Sequence, residues 1–270
     1  MNRRRLLIRA IPIAIALLVV WLQFFSAEKI TNEAGRVTRV ALSSEQEVAL
    51  GIQSYQQVLS ESRVVRDGPA YTMVKRVADR LAAATGESGS KFPWEVSVVE
   101  SSQVNAFCLP GGKIVVYTGI IPVAKNDAGL ATVMGHEMAH ATLRHGSERL
   151  LKQKTTNALL TGVSFSLGDM EPEQQRAVMG AIGAGAQYGF LLPFSRDHES
   201  EADAVGLAYM ARAGYDPREA VGFWERMGEA GGGGAPPEFM STHPASNTRI
   251  SQLKELMPDA VQLYEKSRVK

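Results

Sequence analysis

The chain has 270 residues, 45% of them hydrophobic, and a net charge of +1, enough apolar material for a sizeable core and no global field to draw nucleic acid or a polyanion. Its single cysteine, Cys108, excludes an intrachain disulfide and a cysteine-based zinc site. Any metal must therefore be held by carboxylates and by the five histidines His136, His140, His145, His198 and His243.

Arg3, Arg4, Arg5 and Arg9 precede an apolar run from Ala10 to Phe25, broken only by Gln23. Basic residues ahead of an apolar stretch keep the N-terminus in the cytoplasm and send the downstream chain across the membrane. No A-x-A cleavage site comes after Phe25, so residues 1–26 are expected to be an uncleaved single-pass signal anchor. Export with cleavage, for which Arg3-Arg4-Arg5-Leu6-Leu7 offers a twin-arginine signal, is the alternative. Residues 27–43 read as a polar tether. Ser44-Glu45-Gln46-Glu47 is a capping box that opens a helix toward residue 60, and Val74, Val77, Ala78 and Leu81 set a second helix over 69–84. Gly86 to Ser90 ends it.

Trp94, Val96 and Val98 alternate with Glu95 and Ser97, the period of a strand. Asn105 to Gly112 reads as a turn, with Lys113–Tyr117 as the return strand. The next helix is expected from Asp127 past Arg149. The Gly- and Ala-rich stretch 154–192 suggests one or two tightly packed helices, broken at Gly168-Asp169. Ser195 caps a helix that ends at Gly214, and Asp216-Pro217-Arg218-Glu219 opens another. After a flexible connection at Gly231–Gly234, a last helix runs from Asn247 to Leu256. Residues 44–257 form the expected domain and 258–270 a tail.

The most informative stretch is His136-Glu137-Met138-Ala139-His140. On a helix, residues four apart share a face, so both imidazoles reach one ion. Glu137 can then act as general base toward a water on that ion, the arrangement of HExxH zinc peptidases. A catalytic zinc needs a third protein ligand and keeps a fourth position open. Glu199 in Glu199-Ser200-Glu201-Ala202-Asp203 is the best candidate. Asp203, one turn further on, is placed to accept the free ring N–H of a ligating histidine. Glu201 points about 200° away from Glu199 on an ideal helix, so both cannot face the metal.

Six segments together carry a resemblance. They are Asn105-Ala106-Phe107…Pro110-Gly111-Gly112, Gly135 through His140, Arg144-His145-Gly146, Ser195-Arg196…Asp203, Ala213-Gly214-Tyr215-Asp216-Pro217, and Ser241-Thr242-His243-Pro244…Arg249-Ile250. In this order they resemble the Oma1-like branch of the membrane-associated zinc peptidases that also includes CAAX prenyl proteases and bacterial envelope quality-control proteases. The resemblance covers about 44–256. It implies an α+β, predominantly helical, zincin-like (gluzincin) fold with a small β-sheet. It also implies one Zn2+ per chain on His136, His140 and Glu199, with Glu137 as the base. His243 is implied at the metal, either as a fourth ligand that blocks water or as an oxyanion stabiliser. Arg249 is the second oxyanion candidate.

His145 lies nine residues beyond His136, on the opposite side of a continuous helix, and is assigned to structure; His198 is read as a surface or supporting residue. Cys108 reads as a small apolar filler. A strand near Asn105–Phe107 or Lys113–Tyr117 could hold substrate extended against the sheet edge. The expected function is zinc-dependent endopeptidase cleavage of unfolded or misassembled envelope proteins at a bacterial inner membrane, with the catalytic domain in the periplasm. The partners are then polypeptide substrates and the membrane, with no nucleic acid. The rival is a zinc-stabilised, latent chaperone or adaptor in which His243 closes the site. Relatives commonly carry a carboxylate where Gly129 stands, and glycine there weakens the first helical turn by up to about 1 kcal/mol.

Overall fold

A computed structural model describes residues 3–168, 170–180, 194–230, 237–243 and 247–269; the expected break at Asp169, the end of the Gly/Ala-rich stretch and the glycine run at 231–234 lie outside them. In chain order the elements are α1 (Arg3–Ser26), β1 (Glu28–Thr31), β2 (Val37–Val40), α2 (Ser44–Ser60), β3 (Val64–Val65), α3 (Gly68–Ala84) and α4 (Gly86–Ser90). They continue with β4 (Glu95–Val99), β5 (Ala106–Leu109), β6 (Lys113–Tyr117), α5 (Ile121–Ala124), α6 (Asp127–Thr142) and α7 (His145–Ser166). A helical segment at 172–180 (α8) is followed by α9 (Arg196–Arg212), α10 (Glu219–Glu229), α11 (Glu238–Thr242) and α12 (Asn247–Arg268).

The chain divides into two compact units, one of Met1–Ile30, Val37–Ser43 and Gly146–Leu192, the other of Thr31–Arg36, Ser44–His145 and Pro193–Lys270. In the first, α1 carries an 18-residue window, Arg9–Ser26, with mean hydropathy 1.8, long and apolar enough to cross a membrane. Its Ile15, Leu17, Leu18, Trp21 and Phe25 are each more than half exposed. The Ser166 hydroxyl of α7 donates to the Arg9 carbonyl of α1 at 2.7 Å, and Gly162 meets Ala16 and the Pro12 carbonyl where a Cβ would not fit. Residues 27–43, expected as a tether, instead carry the β1–β2 pair.

The second unit packs helices around a four-stranded sheet of order β3-β4-β6-β5. The alternation read at 94–98 is β4, and Lys113–Tyr117 is β6, but β6 does not return along β4. The two run parallel, with Glu95 opposite Lys113. The segment expected as a turn supplies its own strand, β5, antiparallel to β6 with Ala106 opposite Val116. β5 turns straight back into β6 because Gly111 and Gly112 take φ of 75° and 84°, which reverses the chain in a few residues. β5 therefore ends as an edge strand.

Helix α6 is buried along nearly its whole length, with Leu130, Ala131, Val133, Met134 and Met138 fully enclosed. Asn126 rather than Asp127 is its cap, accepting the Gly129 N–H at 2.9 Å. Gly129 has a packing reason: an added Cβ would stand 2.1 Å from the Ala124 carbonyl oxygen. The helix does not run past Arg149. It stops at Thr142, and Arg144 turns the chain with φ 60° before α7 begins. That conformation strains a non-glycine residue, and here the Arg144 guanidinium is tied to Glu47 at 3.0 Å. The last helix also differs from expectation. α12 continues through Pro258 to Arg268, so 258–268 is helix rather than tail.

Gly135 of α6 faces Gly206 of α9, and backbone meets backbone there. A Cβ on Gly206 would lie 2.8 Å from the Gly135 carbonyl carbon and 2.8 Å from the His136 nitrogen. Gly206→Ala is expected to force the helices apart at a cost of about 1–3 kcal/mol. Urea unfolding checks this, and an unchanged midpoint would show that the contact is soft.

Candidate metal centre

His136 and His140 leave α6 on one side, and their Nε2 atoms lie 3.1 Å apart. Glu199 arrives from the first turn of α9, whose start is set by the Ser195 hydroxyl accepting the His198 N–H at 3.3 Å. Its Oε2 stands 3.5 Å from His136 Nε2 and its Oε1 3.4 Å from His140 Nε2. His243, just past α11, completes the group: Nδ1 is 3.0 Å from Glu199 Oε1 and 3.3 Å from His136 Nε2. Phe239 and Phe194 stack on its ring, with centroids 4.6 and 5.2 Å away. One ligand atom from each of these four buried residues lies within 4.8 Å of the others.

Hydrogen bonds between neutral rings do not account for this convergence. His136 Nδ1 is 2.9 Å from Asp203 Oδ1, and His140 Nδ1 is 2.9 Å from His145 Nδ1. If each Nδ1 carries the proton, the Nε2 lone pairs of both neutral rings point at each other and at a carboxylate. Such a set is stable only with positive charge in its midst. Its proton affinities say the same. Burial works against a charged His136, yet the Asp203 and Glu199 carboxylates outweigh it and raise its pKa to about 9. Burial pushes His140 well below the ordinary imidazole value. Burial also acts to raise Glu199, but its three histidine partners hold the carboxyl far below its usual range. The donor set of nitrogens and one carboxylate, with no thiolate, suits a borderline divalent cation such as zinc.

Glu137 lies beside the group rather than in it. Its Oε2 accepts the backbone N–H of Cys108 at 3.3 Å, while Oε1 is buried with no hydrogen bond among the described residues, 3.3 Å from His243 Nε2. Burial raises its carboxyl above the ordinary range, which suits a group that must take up a proton. Cys108 thus matters for its backbone, a role its side chain does not signal.

Behind His136, Asp203 takes two charge-assisted bonds from Arg249, each 2.7 Å. A third guanidinium nitrogen stands 2.8 Å from Glu199 Oε2, and the plane lies over Trp224, 3.9 Å from the ring centroid. Behind His140 stands His145. Because α6 ends before it, the wheel geometry that put His145 on the far side does not apply. Its other nitrogen, Nε2, is 3.0 Å from Glu201 Oε2, and its ring stacks on His198 at 4.3 Å. Glu201 does turn away from the cluster, as the helix angle requires, and meets His145 instead. Asn32, Arg36 and Trp224 carried no signal in the sequence.

The model of peptidase family M48 matches residues 71–257. Over 229 residues the chain is 37% identical to the mitochondrial metalloendopeptidase OMA1 of Schizosaccharomyces pombe, covering 83% of this chain and 64% of that one. The protein of the same name in Saccharomyces cerevisiae is 40% identical over 182 residues, 64% of this chain and 50% of the relative. The beta-barrel assembly-enhancing protease of Yersinia pestis is 28% identical over 233 residues, 84% of this chain and 47% of the relative. The match spans between 47% and 64% of the length of these relatives.

Proposed function

The chain belongs to peptidase family M48, and on that premise we propose that it is a zinc-dependent endopeptidase with His136, His140 and Glu199 as metal ligands and Glu137 as general base. The observation that carries this reading is the four-residue cluster with the buried Glu137 carboxylate at its edge, 3.3 Å from His243. A zinc ion bound there supplies Lewis acidity, polarising a peptide carbonyl and acidifying water. Glu137 takes the proton of the attacking water on Oε1 and hands it to the departing amine. Asp203 holds the His136 ring by its Nδ1–H, and Arg249 neutralises both Asp203 and Glu199. Its nitrogens are directed at these carboxylates, so we assign Arg249 to positioning instead of to the oxyanion.

The edge strand β5 supports a binding mode for extended polypeptide. Tyr117 N–H donates to the Asn105 carbonyl, which makes 105–117 a hydrogen-bonded pair and leaves the alternate residues, Ala106 and Cys108, with main-chain groups turned away from β6. A chain added along that edge would lie next to Glu137, which already takes the Cys108 N–H, and would be bound by the remaining outward main-chain groups irrespective of sequence. This suits unfolded or misassembled envelope and membrane proteins as substrates. The apolar α1 suits a single-pass inner-membrane anchor, with the metal-bearing unit on the periplasmic side. Casein cleavage that is blocked by a chelator and restored by zinc is the expected behaviour; no cleavage under any condition would leave the enzymatic reading without support.

A second reading comes from His243, which stands where a fourth ligand would stand. We take the arrangement as a resting state in which His243 closes the site. His243→Ala should then retain metal and cleave faster, by roughly tenfold if about nine molecules in ten are closed. A fall in rate would assign His243 to the oxyanion. If neither wild type nor variant cleaves anything, the latent adaptor becomes the better account.

A further inference from the structure

We propose that the short turn 31–36 is a positioning clamp for the second metal ligand, acting on His140 through Glu201 and His145. The inference rests on the reading of His140 as a ligand through Nε2. Given that, every proton in the chain of contacts has one place to go. His140 Nδ1 must carry a hydrogen, so across the 2.9 Å contact His145 Nδ1 is the acceptor. His145 Nε2 must then carry the other ring hydrogen and donate it to Glu201 Oε2 at 3.0 Å. Glu201 has to remain a carboxylate for this, and its surroundings ensure it. Asn32 Nδ2 donates to Oε2 at 2.9 Å, Arg36 NH2 donates to the same oxygen at 3.3 Å, and Arg36 Nε donates to Oε1.

The two ligand histidines are thus held by parallel devices. His136 is backed by Asp203 and Arg249, both within the helical core. His140 is backed by a longer relay whose cation comes from a turn outside it. The turn is built for this. The Asn32 carboxamide oxygen accepts the Arg36 N–H at 2.9 Å, closing the loop, while its nitrogen serves Glu201. Glu33 separately accepts the Tyr209 hydroxyl further along α9, and Tyr209 in turn contacts Thr142 at the end of α6. Asn32 is buried, 8% exposed, in a segment otherwise expected to be a solvated tether. Outer partners of ligand histidines fix the tautomer and ring orientation, and removing one typically costs about 10- to 100-fold in metal affinity or activity.

The test uses the full chain in detergent, with zinc affinity measured by competition against a chromogenic chelator, and kcat and KM on casein beside it. Arg36→Ala and Glu201→Gln are each expected to weaken zinc binding about 10- to 100-fold and to lower kcat with KM little changed. Arg36→Lys should recover part of the loss. Glu33→Ala loosens the same turn without touching Glu201 and should keep zinc affinity within about twofold. Far-UV circular dichroism of the zinc-free proteins reports folding separately. Unchanged zinc affinity in folded Arg36→Ala and Glu201→Gln would overturn the proposal, as would Glu33→Ala matching Arg36→Ala, which would make the turn mere packing. A wild type that binds no zinc would instead remove the reading of His140 as a ligand.

Discussion

Glu137→Gln is expected to lose peptide cleavage by about 10²- to 10⁴-fold, the usual contribution of a positioned proton carrier, while keeping its full metal content. The substitution is nearly isosteric. The amide oxygen of the introduced glutamine can still accept the Cys108 N–H, so β5 keeps its tether to α6. What disappears is the ability of the other position to take a proton. Glu137 is not among the four convergent donors, so the metal should stay. Loss of metal together with activity would show that Glu137 is a ligand. Undiminished cleavage would show that the base lies elsewhere.

Arg249→Ala should be the most destabilising single change near the site. It strips the cation from two buried carboxylates, Asp203 and Glu199, each with its pKa held down. In both, burial acts to raise the carboxyl. Arg249 is the main offset at Asp203, where the His136 hydrogen bond adds to it, whereas the histidines provide it at Glu199. Breaking a buried ion pair from one side costs about 3–5 kcal/mol because the other charge stays behind. For a domain of this size that corresponds to a fall of roughly 6–20 °C in melting temperature. Arg249→Lys should recover only part of it, since an ammonium cannot bond both Asp203 oxygens and lie flat on Trp224. Melting curves of the chelator-treated proteins check this without interference from metal binding. A shift under about 2 °C for Arg249→Ala would mean water replaces the guanidinium.

Much of this is legible in the residues, and the misses share a physical cause. Periodicity places α3 and β4, because each repeats its apolar residues at the spacing of its geometry, while end signals place α2, through its capping box, and α9, between Ser195 and Gly214. The helix-face argument pairs His136 with His140 and turns Glu201 away from Glu199, because each set sits on one regular helix; that the two helices meet is implied only by the resemblance. Where the chain turns through an uncommon backbone conformation, the local pattern carries no warning. Arg144 at φ 60° looks like any helical arginine, so the helix expected from Asp127 runs through it and puts His145 on the wrong side. β5 reads as turn because it is short and flanked by Pro110-Gly111-Gly112. The turn 31–36 is polar and non-periodic, so its contacts with Glu201 depend on tertiary packing that no local pattern encodes. Pro258 suggests a stop, and α12 continues past it.

The most direct test is metal stoichiometry of the purified chain, measured with X-ray absorption at the zinc edge and repeated on His140→Ala, Glu199→Ala and Glu137→Gln. One zinc per chain in an all nitrogen and oxygen shell is expected, lost from the first two variants and kept in the third. A full equivalent of zinc that survives in both His140→Ala and Glu199→Ala would contradict the convergence of these side chains on a single cation.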